Sequence, residues 1–118
     1  MINNVVLVGK LMNEPEIIPT REQIPTKWTK FIMAVERPFK NRQNQFEIDF
    51  LTIKTWIANT EELKTLLKKN AIIGIKGRIQ TFANKANDFY YTEIIFNFQK
   101  NSWWNKKNHQ PGLKFDFI

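Results

Sequence analysis

From Phe50 to Ile57 the side chains alternate in character along the chain. Phe50, Thr52, Lys54 and Trp56 fall on one side of an extended backbone, and Leu51, Ile53 and Ile57 on the other. Such a period of two describes a strand with one face available to a core. The segment from Ile73 to Phe82 repeats the division, with Ile73, Ile75 and Ile79 interleaved by Lys76, Arg78, Gln80 and Phe82. Two segments of this kind commit the chain to a sheet whose outer face carries rings and cations. That combination suits flat bases stacking beside a charged backbone, and points to single-stranded nucleic acid. Rings so placed also serve, in other proteins, to cover hydrophobic gaps or to meet another subunit.

A chain of 118 residues, 42% of them hydrophobic, fits one compact domain with a modest core. The absence of cysteine excludes disulfides and thiolate metal sites. The opening run Met1 to Lys10 is too short and wrongly flanked for a signal peptide, and no stretch suits a membrane span, so a cytoplasmic location is expected. A formal net charge of +7 implies attraction to polyanions that weakens as salt rises. Many lysines accompany an abundance of Asn and Ile of the kind an AT-rich genome produces. Arg37, Arg42, Arg78 and the strand-borne Lys54 therefore carry more weight than the scattered lysines.

A first strand is expected at about residues 4 to 11, followed by a stretch holding Pro15, Pro19 and Pro25 in which regular pairing should not continue. A second strand runs from about 27 to 36. Arg37 to Gln45 lacks apolar periodicity and gathers three cations around Phe39, which describes an exposed loop. A third strand spans 46 to 57. A helix then begins near Asn59 or Thr60, either of which can cap it, with Glu61 and Glu62 at its positive end. Leu63, Leu66 and Leu67 form its buried stripe, and Asn70 can end it. Lys68 and Lys69 serve either as partners of the helix dipole or as DNA contacts. Two more strands follow at about 71 to 82 and 89 to 98, joined by the polar loop 83 to 88.

Three strands, one helix and two strands match a five-stranded oligonucleotide-binding (OB) barrel, nearly all β, whose helix plugs one end between the third and fourth strands. Gly9, Gly74 and Gly77 fit this architecture by permitting bends or bulges.

The opening Met1-Ile2-Asn3-Asn4-Val5-Val6-Leu7-Val8-Gly9-Lys10-Leu11, followed by Glu14-Pro15-Glu16, resembles the start of bacterial single-stranded DNA-binding proteins, the SSB family. Phe31 to Asn41 resembles the family's second strand and basic loop. Leu67-Lys68-Lys69 with Gly74 to Thr81 resembles its helix end and fourth strand, and Tyr91 to Ile94 its fifth. The likeness covers residues 1 to 98 in collinear order. It implies a homotetramer of OB folds that wraps single-stranded DNA without strong sequence preference and protects it in replication, recombination and repair. The family's stacking positions fall on Phe39, Phe50 and Trp56, two of which the alternation already turns outward.

Three features depart from the family pattern. The loop between the last two strands is about three residues shorter, which leaves Phe82 as the nearest candidate for a further stacking ring. Trp28 stands where a small aliphatic residue is usual, with stacking on DNA, packing between subunits and filling the barrel mouth all open to it. The tail, residues 100 to 118, is short, basic and expected to be flexible, and ends in Lys114-Phe115-Asp116-Phe117-Ile118 in place of a long linker and acidic tip. Recruitment of replication and repair proteins is therefore in doubt. Three readings of the tail stay open: Phe115, Phe117 and Ile118 around one aspartate as a reduced docking tip, Trp103, Trp104, Lys106 and Lys107 as further DNA contacts, or a disordered end.

A nuclease would need clustered carboxylates or a well-placed histidine. Asp49 with Glu47 and Glu93 is the one conceivable carboxylate set, better suited to ion pairing with nearby lysines, and His109 lies in the tail. A binding protein that is not an enzyme and needs no cofactor is expected. Phe39, Phe50 and Trp56, with Phe82, offer rings, while Arg37, Lys40, Arg42, Lys54, Lys76 and Arg78 collect phosphates. A dimeric interaction module resembling primosomal replication protein N, and a specialised SSB paralogue used in DNA uptake, are the competing assignments.

Overall fold

The computed structural model describes residues 1–18, 27–57, 64–84, 86–97 and 116–117. Seven strands form one sheet: β1 (Val5–Leu11), β2 (Glu16–Ile18), β3 (Lys27–Lys40), β4 (Phe46–Ile57), β5 (Ile72–Asn84), β6 (Phe89–Phe96) and β7 (Asp116–Phe117). The five long strands close on themselves in the order β1, β3, β4, β6, β5 and back to β1. Within that ring only the β4–β6 contact is parallel, at Ile53–Ile94 and Lys54–Ile95. This closed circuit is the OB barrel that the element order anticipates.

Alternation supplies the core. Phe31 and Met33 of β3, Ile53 of β4, Ile73 and Ile75 of β5 and Phe96 of β6 point inward with Leu11. The Phe31 and Phe96 rings meet edge to face at 6.3 Å between centroids. Thr55 shares this interior stripe, and its hydroxyl donates to the Phe96 carbonyl at 3.0 Å, which satisfies a polar group that burial would otherwise penalise. Leu67 is buried in the same cluster, just beyond a helical turn at residues 64–66. The expected helix start at Asn59 to Leu63 lies outside the described residues. Its expected end is Asn70, which adopts the left-handed conformation with φ 72°. The Asn70 N–H donates to Leu11 O at 2.8 Å and Leu11 N–H to Ala71 O at 2.9 Å, stitching the helix exit to β1.

Gly9 and Gly77 are needed for close approach between strands rather than for bends. A Cβ at Gly9 would stand 2.4 Å from the Ala34 carbonyl oxygen, and one at Gly77 2.1 Å from that of Ile95. Both obstacles are backbone, so neither can swing aside.

Three stretches correct the strand assignment. Glu16–Ile18 pairs with Lys30, Thr29 and Trp28 of β3, although a proline-rich stretch discourages pairing. Pro15 immediately precedes this strand and removes no donor from it, while Pro19 and Pro25 lie outside the described residues. Residues 37 to 40, expected in a loop, continue β3. The β3–β4 register shifts between Glu36 and Lys40, an irregularity that accommodates Pro38, and pairing resumes at Lys40–Phe46. Asn41 makes the tight turn possible: its side-chain oxygen accepts from Gln43 N–H at 2.9 Å and Gln45 N–H at 3.0 Å. Missing apolar periodicity there reported only that neither face is buried. Asp116–Phe117 adds a third difference, a short strand in the tail that pairs parallel with Ile73 and Gly74 of β5; residues 98 to 115, with Trp103, Trp104 and His109, lie outside the described residues. No helix among the described residues is long and apolar enough to cross a membrane.

Candidate nucleic-acid interface

Residues directly opposite in an antiparallel pair share a face. The β3–β4 register sets Trp28 against Trp56, Lys30 against Lys54, Ile32 against Thr52 and Ala34 against Phe50. With Phe31, Met33 and Ile53 inside, all eight of these side chains belong to the outer face of the barrel. Phe50 is 64% exposed and Trp56 41%. Phe39, 59% exposed, and Lys40 sit near the end of the same hairpin, with Arg42 exposed in its turn. The Lys40 ammonium lies 5.5 Å from the Phe46 ring centroid.

Trp28 belongs to an aromatic cluster on this face. Its indole meets Trp56 edge-on at 4.8 Å and Phe82 of β5 at 6.4 Å. Phe82 also lies 5.6 Å from the Lys54 ammonium, which Glu93 of β6 holds at 2.6 Å. Four strands thus converge on one patch of Trp28, Lys54, Trp56, Phe82 and Glu93. Trp28 was legible as an outward residue, because Phe31, Met33 and Val35 set the inward phase of its strand. Its contact with Phe82 was not, since that depends on how β5 passes the β3–β4 hairpin.

The remaining cations differ in their availability. Lys76 is exposed on β5, while Arg78 donates to Asn97 Oδ1 at 2.7 Å and to Gln80 Oε1 at 3.0 Å. Arg37 is turned to carboxylates: Nε reaches Asp49 Oδ2 at 3.0 Å, Nη2 reaches Asp49 Oδ1 at 2.9 Å, and Nη1 binds Glu47. The register explains this arrangement, because Val35 opposes Asp49 and Arg37 is the next residue of β3 on that side. Glu47 and Asp49 therefore pair with an arginine rather than with the lysines expected for them, and Glu93 is engaged separately with Lys54. Among the described residues no group of three His, Asp or Glu side chains is placed to hold a metal ion.

Hydrogen bonding from Arg37, followed by its charge, holds the Asp49 carboxyl below its ordinary value, and Asp49 in turn raises the Arg37 guanidinium. A depressed folded-state pKa contributes stability that is complete above the unfolded value of about 3.9 and is lost as pH falls through the lower folded value. An NMR titration should find Asp49 protonating below the usual carboxylate range, and Arg37→Ala should move its midpoint upward. An unchanged midpoint in that variant would contradict the pairing.

Sequence comparisons identify relatives of this chain, and structural comparisons match its barrel. The model of the single-strand binding protein family matches residues 2–101. Single-stranded DNA-binding protein 3 of Listeria innocua is 40% identical over 98 residues, covering 80% of this chain and 60% of that protein. Single-stranded DNA-binding protein 1 of Lactococcus lactis is 42% identical over 100 residues, covering 80% and 64% respectively. The chain thus spans a little over half of the length of these curated relatives. In fold, it superposes on an SSB of Plasmodium falciparum in complex with ssDNA with a TM-score of 0.61 at 22% identity, covering 85% of this chain and 90% of that one. The dimeric N-terminal domain of the PriB protein from Thermoanaerobacter tencongensis gives 0.53 at 21% identity, covering 80% and 89%.

Proposed function

The chain belongs to the single-strand binding protein family, and on that premise we propose that it binds and protects single-stranded DNA, without strong sequence preference, in replication, recombination and repair. The observation that carries this reading is the outward aromatic face of β3 and β4, bordered by cations. Phe39, Phe50 and Trp56 stack on bases, Trp28 buttresses Trp56 and is itself backed by Phe82, and Lys40, Arg42, Lys76 and Arg78 attract the phosphodiester backbone, while Lys54 is neutralised in part by Glu93 beside Phe82. Arg37 braces the β3–β4 arm through its two carboxylates. The protein acts as a cytoplasmic, nucleoid-associated binding protein rather than an enzyme, with residues 1–99 as the binding domain and 100–118 as its tail.

Self-association into a tetramer accompanies this function. Among the described residues β1 pairs with β3 only at Lys10 and Leu11, and β1 exposes Val6 and Val8, the latter in a groove shared with Ile48 and Ile72. An open strand edge beside apolar side chains favours a second copy of the chain. Light scattering after size exclusion distinguishes this tetramer from a dimer of the PriB kind.

Stacking requires unpaired bases, whereas duplex exposes only base edges. Tryptophan fluorescence titrated with poly-dT and with duplex of equal length, at two salt concentrations, tests the reading. Tighter binding of poly-dT at both salts is expected. Equal binding of both, with a steep common salt slope, would identify unspecific attraction to polyanions.

A further inference from the structure

β4 and β6 pair at Ile53–Ile94 and Lys54–Ile95, and separate from there toward Phe50 and Tyr91. The gap is a cleft of about 510 Å³, lined among others by Phe50, Thr52, Ile79, Tyr91 and Ile94. Its size falls within the ~300–1,000 Å³ of small-molecule sites. Tyr91 is 49% exposed, and its hydroxyl accepts from Asn84 Nδ2 at 3.0 Å, which holds the ring at the cleft. Phe50, the most exposed ring of β4, borders the other strand. Ile79 explains the open floor. It continues the inward stripe of Ile73 and Ile75, yet β5 has by then run past the packed interior and leaves it exposed.

The geometry points to a subsite for one unpaired nucleobase, inserted between strands β4 and β6 with Phe50 on one side and Tyr91 on the other. The occupant follows from continuity with the outer aromatic face, because Phe50 belongs to both. A strand laid over Phe50 carries its next base to the cleft. Aliphatic side chains at the floor and rings at the walls favour a flat, largely apolar heterocycle, which gains stacking from each ring. The hydroxyl of Thr52, also in the lining, offers a hydrogen bond that any base can meet. This inference rests on the binding of single-stranded DNA proposed above, and assigns to Tyr91 a role that no stacking position of the family anticipates in this sequence.

Tyr91→Thr keeps a residue suited to strands at a half-exposed position. It should weaken binding of a dT oligonucleotide roughly tenfold, the loss of one stacking ring. Tyr90→Thr is the control, since the neighbouring ring points to the opposite face of β6, and its affinity should equal that of the wild type. Irradiation of the wild-type complex with an oligonucleotide carrying 5-iododeoxyuridine should place a crosslink on Tyr91, located by peptide mass spectrometry. A wild-type protein that fails to bind the oligonucleotide would overturn the proposed function itself. Normal wild-type binding, with Tyr91→Thr unaffected and crosslinks only elsewhere, would overturn the cleft alone, as would equal losses from Tyr90→Thr and Tyr91→Thr.

Discussion

Replacing Phe50 and Trp56 together by alanine should lower affinity for an unstructured oligonucleotide by at least about 30-fold, taking each stacked base at the lower end of roughly 1–3 kcal/mol. The two rings are suited to this test because removing them leaves the interior intact. Both project from the outer face of β4, whereas Leu51, Ile53 and Thr55 supply its inner one. Trp56 has a second effect. Its loss leaves Trp28 without the edge-on partner at 4.8 Å, so the double variant need not equal the sum of the single ones. Removing one exposed lysine, by contrast, subtracts a screened charge and should cost far less. Fluorescence anisotropy of a labelled oligonucleotide measures the change, and thermal unfolding verifies that the variant remains folded. A double variant that is folded and binds normally would contradict the stacking assignment.

Phe31→Ala should have the largest effect on stability. Phe31 is 0% exposed and faces Phe96 across the barrel, joining β3 to β6, strands that do not pair with each other. Its removal leaves a cavity between barrel walls that closure prevents from collapsing, and Phe→Ala changes in such cores cost about 3–5 kcal/mol. Against a total of roughly 5–15 kcal/mol for a domain, this is a large fraction. At about 4 °C per kcal/mol for a chain between the small and mid-sized classes, the unfolding midpoint should fall by roughly 12–20 °C. Circular dichroism at one fixed protein concentration measures the shift, so that the proposed self-association contributes equally to variant and wild type. A decrease of about 2 °C or less would show that the interior is loosely packed around this ring.

The parts of the molecule that were legible in the sequence are those governed by local rules. The alternation in Phe50 to Ile57 placed Ile53 inside and Phe50 and Trp56 outside, because a strand with one buried face has a single admissible phase. Asn70 stood out as a helix terminator because few residues other than glycine tolerate its backbone conformation. The pairing of Glu16–Ile18, by contrast, depends on β3 running past an unremarkable segment. In sequence Arg37 reads as one more phosphate-binding cation, because only its charge is visible there. Its commitment to Asp49 and Glu47 depends on register across a hairpin whose irregularity follows from Pro38. The cleft beside Phe50 was hidden for a similar reason. It arises where two strands distant in sequence part, and neither strand alone signals the separation.

A ring-selective NMR titration of the aromatic carbons and protons with a short dT oligonucleotide tests whether exposed rings on the β3–β4 face receive unpaired bases. Signals from Phe50 and Trp56 should shift upfield under the ring currents of stacked thymines, while the interior rings of Phe31 and Phe96 stay in place. Shifts confined to lysine and arginine side chains, with Phe50 and Trp56 unmoved at saturation, would mean that the strand is held by charge alone.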